Sequence, residues 1–398
     1  MPGAKRSITD LKLDGRRVLM RVDFNVPVRD GAITDDTRIR ASLPTIQYAL
    51  DHGAEVVLCS HLGRPKGKPN PELSLKPVAG RLSELLGRPV IFASDCVGEP
   101  ARAAVAQAGP HGVVLLENLR FHPEEEKNDA GFAAQLASLA DVYVDDAFGS
   151  AHRAHASTEG VVRHVKEAAA GLLMQAELRY LGGVLQDPER PLVAVLGGAK
   201  VSDKLEVIEN LIPRVDALLV GGAMAYTFFE ARGLPIGRSL FEEDLVPTAR
   251  DIDGRARART LRFELPVDHV VAPPAVLKGA DAPAEVLAVD DPAIADRAGL
   301  DIGPKTVAVY RAVIAGARTV VWNGPMGVFE IEAFAKGTMA IAHAVASIEG
   351  TSIIGGGDSI AAVAKAGVSD RITHISTGGG ASLEFLAGRE LPGVAALP

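Results

Sequence analysis

The sequence predicts an α/β fold made of two doubly wound, Rossmann-like parallel-sheet domains joined by a hinge helix. Three observations support this fold class. The chain has 398 residues, more than one hydrophobic core usually holds. Short runs of Val, Ile and Leu alternate with segments of helical spacing, as in βαβ units. These runs also fall into two groups along the chain, one group for each domain.

The predicted strands are short aliphatic runs, because a parallel strand covered on both faces needs apolar side chains throughout. In the first half they are 18–22, 56–58, 113–116 and 142–144. In the second half they are 192–196, 217–220, 319–322, 352–354 and 372–375. Apolar residues at helical spacing predict helices at 37–52, 74–86, 203–211, 305–315 and 336–348.

A connecting helix is predicted at about residues 167–185, between the two groups of strands. It ends at the turn signal Gln186-Asp187-Pro188. We therefore expect an N-terminal domain over residues 1–180 and a C-terminal domain over residues 181–388.

Composition narrows the class of function. The formal charge of −8 does not favour an extended nucleic-acid surface, which needs a basic stripe. Only Cys59 and Cys96 are present, so we expect no disulfide framework. The sequence shows no signal peptide and no long apolar window, which predicts a cytoplasmic protein without a membrane partner.

The charge is unevenly distributed. Residues 1–180 hold 22 Lys and Arg against 23 Asp and Glu, and the remainder holds 20 against 27. The first half is thus the more basic one, and its arginines suit the capture of a small anion. The alternative is an Arg-rich surface without a ligand.

Polar side chains follow the first-half strands, where loops lead into helices and doubly wound folds bind ligands. Four arginines and a histidine form a candidate clamp for an anionic substrate: Arg38, Arg64, Arg120, Arg153 and His61. Each of them taken alone is better explained as a surface residue, and it is their joint placement after strands or early in the following helix that favours the clamp. Asp23 and Asn25 are candidates for binding substrate hydroxyls, and the alternative is an Asx-turn before Pro27.

Glycine-rich turns follow the second-half strands and let backbone N–H groups approach phosphates. Neither the P-loop nor the dinucleotide fingerprint is present in the sequence. Asp358 follows three glycines where Mg²⁺ would bridge nucleotide phosphates, and the alternative is a helix N-cap. Lys200 and Lys204, four residues apart, would share a helix face and hold an anion; the alternative is a pair of solvated lysines.

Eight ordered motifs carry a resemblance to phosphoglycerate kinases. They span nearly the whole chain: RVDFNVP (21–27), SHLGRP (60–65), LENLRF (116–121), DAFGSAHRAH (146–155), LGGAKVSDK (196–204), WNGPMGVFE (322–330), GGGDS (355–359) and HISTGGGAS (374–382).

The resemblance implies a role for each site residue. Residues that would bind 3-phosphoglycerate or 1,3-bisphosphoglycerate are Asp23, Asn25, Arg38, His61, Arg64, Arg120 and Arg153. Residues that would bind ATP or ADP are Lys204, Gly299, Glu330, Gly356, Gly357, Asp358 and Ser359, with Asp358 on Mg²⁺. The moving phosphoryl group would be held by Arg38, Lys200, Gly378, Gly379 and Gly380. The C-terminal tail, 389–398, would pack back onto the first domain.

The resemblance also implies a glycolytic, ATP-dependent phosphotransferase that acts on a carboxyl group as a monomer, by direct in-line transfer after hinge closure. The chemistry agrees, since a carboxylate is already ionised at neutral pH and needs no general base. A dehydrogenase is disfavoured because the dinucleotide fingerprint is absent. A non-catalytic relative is disfavoured because Arg38, Lys200, Lys204 and Asp358 are all present.

Overall fold

The computed structural model describes residues 5–398, which divide into two compact units. The first unit runs to Arg179 and also includes Glu390–Pro398, and the second is Tyr180–Arg389. Each unit is built around its own six-stranded sheet. Among the described residues, none of the helices is both long enough and apolar enough to cross a membrane.

The strands of the first unit are short, as the aliphatic runs predict. They are β1 (Arg17–Arg21), β2 (Val28–Arg29), β3 (Ala32–Ile33), β4 (Glu55–Cys59), β5 (Ile91–Phe92), β6 (Val113–Leu115), β7 (Val142–Asp145) and β8 (Ala168–Ala170). Six of them form a parallel sheet in the order β5-β6-β4-β1-β7-β8. β1 is central, with Val18 paired to Val56 on one side and to Val142 on the other.

Helices cover this sheet. They are α1 (Thr37–Asp51), α2 (Lys76–Leu86), α3 (Gly98–Ala108), α4 (Pro123–Glu126), α5 (Ala130–Ala137) and α6 (Leu172–Gln186), the last of which continues into the second unit. β2 and β3 form a hairpin whose two turn residues, Asp30 and Gly31, both have positive φ. This is the turn that an Asp-Gly pair favours between short strands.

The second unit has two sheets. Its strands are β9 (Leu192–Leu196), β10 (Ala217–Val220), β11 (Arg262–Glu264), β12 (Asp268–Ala272), β13 (Glu285–Ala288), β14 (Ala298–Ile302), β15 (Thr319–Asn323), β16 (Thr351–Gly355) and β17 (His374–Ile375). The parallel sheet has the order β11-β10-β9-β15-β16-β17, and an antiparallel sheet has the order β13-β12-β14. The helices are α7 (Leu205–Leu211), α8 (Ala225–Ala231), α9 (Val246–Ala258), α10 (Pro304–Ala315), α11 (Lys336–Val345), α12 (Gly357–Lys365) and α13 (Gly380–Leu386).

Burial of the strands on both faces holds each sheet in place. β9 and β15 are buried at every position. In the first unit, Val18, Met20 and Phe24 pack into one core with the apolar faces of α1 and α2. In the second unit, Trp322 and Tyr310 are fully buried in the core between the sheet and α10 to α12. Each fully buried aliphatic or aromatic side chain contributes roughly 1.5–3 kcal/mol to stability.

The C-terminal segment belongs to the first unit. Its short helix α14 (Pro392–Ala396) is held by the N–H of Gly393, which donates to the carbonyl of Ala151 at 2.8 Å. The N–H of Arg6 donates to the carbonyl of Pro398 at 2.9 Å. A Cβ at position 393 would lie 3.0 Å from the Ala151 Cα, so glycine allows this close approach.

The α/β class with two parallel sheets is confirmed, but the predicted helix at 167–185 is wrong at its start. Residues 168–170 form β8, which pairs with β7, and the helix begins at Leu172. The Asp146 carboxylate fixes that start by accepting the N–H groups of Leu173 and Met174 at 2.9 and 3.2 Å. The predicted strand at 372–375 is also too long, because β17 is only His374–Ile375.

Candidate active site

Loops at one edge of the first sheet carry the predicted anion-binding residues. The carboxyl ends of parallel strands lie at the same edge, so the loops after β1, β4 and β6 converge there. Asp23 and Asn25 follow β1, His61 follows β4 and Arg120 follows β6. β1 has β4 on one side and β7 on the other, so the order in which the strands are added to the sheet reverses at β1. Such a switch point opens a crevice in doubly wound folds.

Asp23 and Arg38 form an ion pair at this edge. Nη1 of Arg38 lies 3.1 Å from each Asp23 carboxylate oxygen and donates to the Asn25 carbonyl at 3.3 Å. Asp23 Oδ1 also accepts the Asn25 N–H at 3.1 Å, which confirms the Asx-turn for Asp23. Asn25 Oδ1 in turn accepts the N–H of Gly63 at 2.9 Å. The two short side chains therefore tie the loop after β1 to the loop after β4 and to Arg38 on α1.

Arg120 carries a buried donor without a partner. Its Nη1 donates to the Gly63 carbonyl at 3.1 Å, while its Nε is buried and makes no hydrogen bond. The Glu126 carboxylate is 3.8 Å from Nε, beyond hydrogen-bond distance. An unsatisfied buried donor is costly, more so when it is charged. A bound anion would satisfy this one.

Positive charge is concentrated around His61. Burial, followed by the charges of Arg21, Arg120 and Arg38, holds the pKa of His61 well below its usual 6.5. Burial, followed by Arg120, also lowers the pKa of His155 to about 4. Burial and then Arg21 lower the pKa of the Arg120 guanidinium. The site therefore resists further positive charge and favours an anion.

The remaining two arginines of the predicted clamp are exposed. Arg64 directly follows Gly63, and Arg153 lies in the turn after the 3₁₀ helix Phe148–Ser150. The Arg153 charge contributes to the lowered pKa of His155. Arg153 therefore lies at the margin of the cationic cluster around His61. Within residues 5–398 neither arginine has a side-chain hydrogen bond or ion pair, so the fold does not fix either guanidinium toward the others.

In the second unit the order of the strands reverses between β9 and β15, and two glycine-containing loops touch at this switch point. The N–H of Gly197 donates to the Asn323 carbonyl at 2.9 Å, and that of Gly198 donates to the Pro325 carbonyl at 2.9 Å. A Cβ at Gly324 would lie 2.1 Å from the Gly197 carbonyl oxygen. Glycine is therefore required where these two backbones meet.

Lys204 lies at this junction, directly before α7. Its Nζ donates to Asn323 Oδ1, and burial lowers the pKa of its amine, although Asp203 and Asp358 oppose that shift. The other side-chain atom of Asn323, Nδ2, is buried and has no partner. The junction therefore offers a buried cation and a free amide donor, both suited to an anionic group.

Lys200 does not share a helix face with Lys204, so this prediction is wrong. α7 begins only at Leu205, and Lys200 lies in an exposed loop. The Glu242 carboxylate accepts the Ser202 N–H at 3.0 Å and its hydroxyl at 2.6 Å, which holds the segment in a turn. Lys200 has no side-chain hydrogen bond or ion pair within residues 5–398.

A cavity of about 640 Å³ lies beside this junction, within the size range of small-molecule sites. Gly299, Glu330 and Asp358 all line it, together with the apolar side chains of Leu300 and Val328.

Gly299 forms part of the cavity wall in β14. A Cβ at this position would lie 1.4 Å from the Tyr226 hydroxyl oxygen, so no other residue fits there. That hydroxyl lies 2.8 Å from His269 Nδ1, and the Gly299 N–H donates to the Ser239 hydroxyl at 2.9 Å.

α12 begins beside the cavity, and its start tests the N-cap interpretation of Asp358. The N-cap is Gly356 with φ of 90°, Gly357 is the first helical residue, and Asp358 is exposed in the first turn. The N-cap interpretation of Asp358 is therefore wrong. Ser359 is buried, and its hydroxyl accepts the Gly324 N–H at 2.6 Å, so this side chain supports the glycine loop.

The third glycine segment leads into α13, after the last strand of the same sheet. Gly378 donates its N–H to the Ser376 hydroxyl at 3.2 Å, Gly379 is the N-cap with φ of 53°, and Gly380 begins the helix. The positive φ explains the glycine at position 379.

Sequence reasoning assigned no role to Arg21, Asn323 or Tyr226. Arg21 is fully buried at the end of an aliphatic strand, a position that a charged residue rarely takes without a reason. The charged Arg21 at the end of an aliphatic strand was therefore the sequence feature that could have identified it. Asn323 and Tyr226 gave none, because their importance depends on contacts with residues more than forty positions away.

Comparisons with known proteins agree along the whole chain. The sequence model of the family described as phosphoglycerate kinase matches residues 8–389. The phosphoglycerate kinase of Moorella thermoacetica is 61% identical over 395 residues, covering 99% of both chains, and that of Koribacter versatilis is 59% identical over 410 residues with the same coverage. The solved phosphoglycerate kinase of Coxiella burnetii aligns with a TM-score of 0.88 at 43% identity over 98% of both chains. The chain belongs to the phosphoglycerate kinase family.

Proposed function

We propose that this chain catalyses the reversible transfer of a phosphoryl group between 1,3-bisphosphoglycerate and ADP, giving 3-phosphoglycerate and ATP as a step of glycolysis. One observation carries the proposal beyond family membership. The first unit holds a cationic cluster in which the buried Arg120 Nε has no hydrogen-bond partner, while the second holds an apolar cavity beside glycine-rich strand ends. These are the two environments that a small anionic acid and a nucleotide require.

In this proposal the first unit binds the phosphoglycerate. Arg120 Nε is the strongest support, because it is a buried charged donor that lacks an acceptor. His61 and Arg38 lie beside it, and Arg64 and Arg153 extend from the margin as exposed cations that can close on the ligand. Asp23 and Asn25, which hold the loops, are the residues that we assign to the substrate hydroxyls.

The second unit binds the nucleotide. The apolar part of the cavity suits the adenine ring, against the wall that Gly299 forms. Glu330 lies at its exposed margin and suits the ribose hydroxyls. We assign Lys204 and the backbone from Gly356 to Ser359 to the phosphates, since the first N–H groups of a helix have no intrahelical partners.

Asp358 fits a magnesium ion that accompanies the nucleotide. Asp358 is exposed and lines the cavity. Its carboxylate is a hard oxygen ligand, and Mg²⁺ is usually bound by one or two such carboxylates together with substrate phosphates. When bound, Mg²⁺ would neutralise part of the phosphate charge. Lys204 lies near enough for its charge to interact with that of Asp358, so cation and carboxylate frame the same region.

The protein residues have little covalent chemistry to perform. The acceptor carboxylate is ionised at neutral pH, so the site needs no general base. Transfer spreads negative charge over the phosphoryl oxygens. Arg38, Lys200 and the Gly378–Gly380 segment are the groups we assign to that charge; Gly379 and Gly380 offer their N–H groups, while the Gly378 N–H donates to the Ser376 hydroxyl.

We further propose that the two units close on their ligands about α6, since each unit carries the binding residues for only one of the two substrates. The enzyme acts as a monomer in the cytoplasm, where both cysteines stay as free, buried thiols.

A coupled turnover assay tests the proposed reaction. Purified protein should consume ATP only when Mg²⁺ and 3-phosphoglycerate are both present, and the acyl phosphate formed is detected by its reduction. Steady ATP hydrolysis without the acid, or no turnover with it, would contradict the proposal. The second outcome would favour a binding protein that kept the fold without the activity.

Asp358→Asn should weaken binding of the magnesium nucleotide by about tenfold or more while leaving 3-phosphoglycerate binding unchanged. The physical reason is the loss of a charged oxygen ligand in one unit only. Titration calorimetry with each ligand measures both affinities.

Asp370→Asn is the matched control, because Asp370 is an exposed acid of the same unit in the first turn of the 3₁₀ helix Ser369–Arg371, outside the cavity. The free energy of unfolding of Asp358→Asn should change by no more than about 1 kcal/mol, the usual contribution of an acidic residue in the first turn of a helix. Equal loss of both ligands would show that Asp358 has a general structural role.

A further inference from the structure

Arg21 is a buried charge to which the proposed reaction assigns no direct contact with substrate. It ends β1 with 0% of its surface exposed. Its Nε donates to the Ser157 hydroxyl at 2.8 Å, and its Nη1 donates to the Val22 carbonyl at 2.6 Å. Its Nη2 lies 3.1 Å from His61 Nδ1. A charge this deeply buried is costly unless it is fully bonded, so the arrangement requires an explanation.

The negative charge that balances Arg21 is also buried. Ser157 donates its hydroxyl to Glu125 Oε1 at 2.5 Å and its N–H to Oε2 at 2.9 Å, which links the two charges through one side chain. Glu125 is fully buried, and burial raises the pKa of its carboxyl while Arg21 opposes that shift. The pair thus forms a fixed scaffold behind His61.

The contact between Arg21 and His61 determines where the imidazole carries its proton. A guanidinium has N–H donors and no acceptor, so His61 Nδ1 must be the acceptor in this hydrogen bond. A neutral imidazole with an accepting Nδ1 carries its proton on Nε2. Within residues 5–398 Nε2 has no hydrogen-bond partner, and this N–H is therefore free to donate.

The surroundings of His61 also keep the ring neutral. After burial, the main causes of its lowered pKa are the charges of Arg21 from β1, Arg120 from the loop after β6, Arg38 from α1 and His155 from the loop after β7. Protonation of His61 would add a further positive charge to this set.

We propose that Arg21 is a positioning residue that locks His61 as the neutral Nε2–H tautomer, so that the imidazole acts as a fixed hydrogen-bond donor to the bound anion. This inference rests on the proposed function for the identity of that anion, the phosphoglycerate. The tautomer itself is a property of the ligand-free protein. A neutral donor binds an anion by a directed bond, and its strength stays constant while the ring does not titrate.

Nitrogen NMR of the ligand-free protein with labelled histidine tests the tautomer directly. The His61 signals are identified by their loss in His61→Gln. We expect an unprotonated Nδ1, a protonated Nε2 and no titration between about pH 8 and about pH 5.5. A proton on Nδ1, or a doubly protonated ring at neutral pH, would overturn the proposal without any variant at Arg21.

The variant that tests the role of Arg21 is Arg21→Met combined with Glu125→Gln, which removes both buried charges together. Glu125→Gln alone is its control and should keep the wild-type tautomer. In the double variant His61 should show mixed tautomers and begin to titrate. An unchanged tautomer would show that Arg21 does not set it, which overturns the proposal.

Kinetics of the double variant provide the second readout. At about pH 8 the KM for 3-phosphoglycerate should rise about twofold, because mixed tautomers leave only about half of the His61 rings with a proton on Nε2, with a smaller change in kcat. Relative to wild type, that rise should diminish as the pH falls, because a protonated His61 regains a donor at Nε2. The pH dependence should vanish when His61→Gln is added.

A rise in the KM of the double variant that is the same at every pH would overturn the positioning role of Arg21. Failure of the proposed function is distinguishable, because wild-type protein would then show the expected tautomer and no turnover.

Discussion

Arg38→Ala is expected to lower kcat by on the order of 10²-fold or more, with a smaller change in the KM for 3-phosphoglycerate. Nη1 of Arg38 is held between the Asp23 carboxylate and the Asn25 carbonyl, which fixes the guanidinium beside the cationic cluster. A preorganised cation acts on charge that develops during transfer, so its loss appears mainly in kcat. Steady-state kinetics in both directions measure this effect.

The same substitution leaves Asp23 without its ion-pair partner. The Asp23 side chain is only 9% exposed, so we also expect a loss of about 1–3 kcal/mol in the free energy of unfolding. Arg40→Ala is the matched control, because Arg40 lies two residues further along α1 and pairs with Asp36 at 2.9 Å on the surface. A normal kcat with only a raised KM would reassign Arg38 to ground-state binding.

Lys200→Ala should also lower kcat by on the order of 10²-fold or more, and here without a cost in stability. The Lys200 side chain is exposed and makes no contact that holds the fold within residues 5–398. A large effect on rate with an unchanged unfolding midpoint would show that the amine acts on the reacting groups.

Lys305→Ala controls for the loss of one exposed lysine in the same unit, since Lys305 lies at the start of α10 outside the cavity. Its kcat should match the wild type. If Lys200→Ala behaves like this control, the phosphoryl group is stabilised by other donors and the role assigned to Lys200 is wrong.

The parallel sheets could be predicted because their strands are buried on both faces, so local composition alone marks them. β9 and β10 match the predicted runs at both ends. The antiparallel strand β13 was not predicted, because three of its four residues are exposed, whereas the prediction looked for strands buried on both faces. β8 consists of three alanines, which favour helix locally, and only pairing with β7 makes them a strand.

The candidate site divides in the same way. Position after a strand identifies Asp23, His61 and Asp358, because the fold class alone directs those loops to one edge of each sheet. The separation of Lys200 from Lys204 could not be predicted, since it depends on Glu242, which bonds to Ser202 from forty residues away. Long-range bonds of this kind leave no local pattern in the sequence.

Hydrogen exchange with one ligand at a time tests most directly whether each unit binds its own substrate. With 3-phosphoglycerate alone, amides in 22–25, 60–64 and 118–121 should exchange more slowly, and the second unit should not change. With the magnesium nucleotide alone, protection should appear in 197–204, 323–330 and 355–359 and not in the first unit. Protection of the cavity residues by 3-phosphoglycerate alone, or of residues 60–64 by nucleotide alone, would contradict the division of the active site into two half-sites.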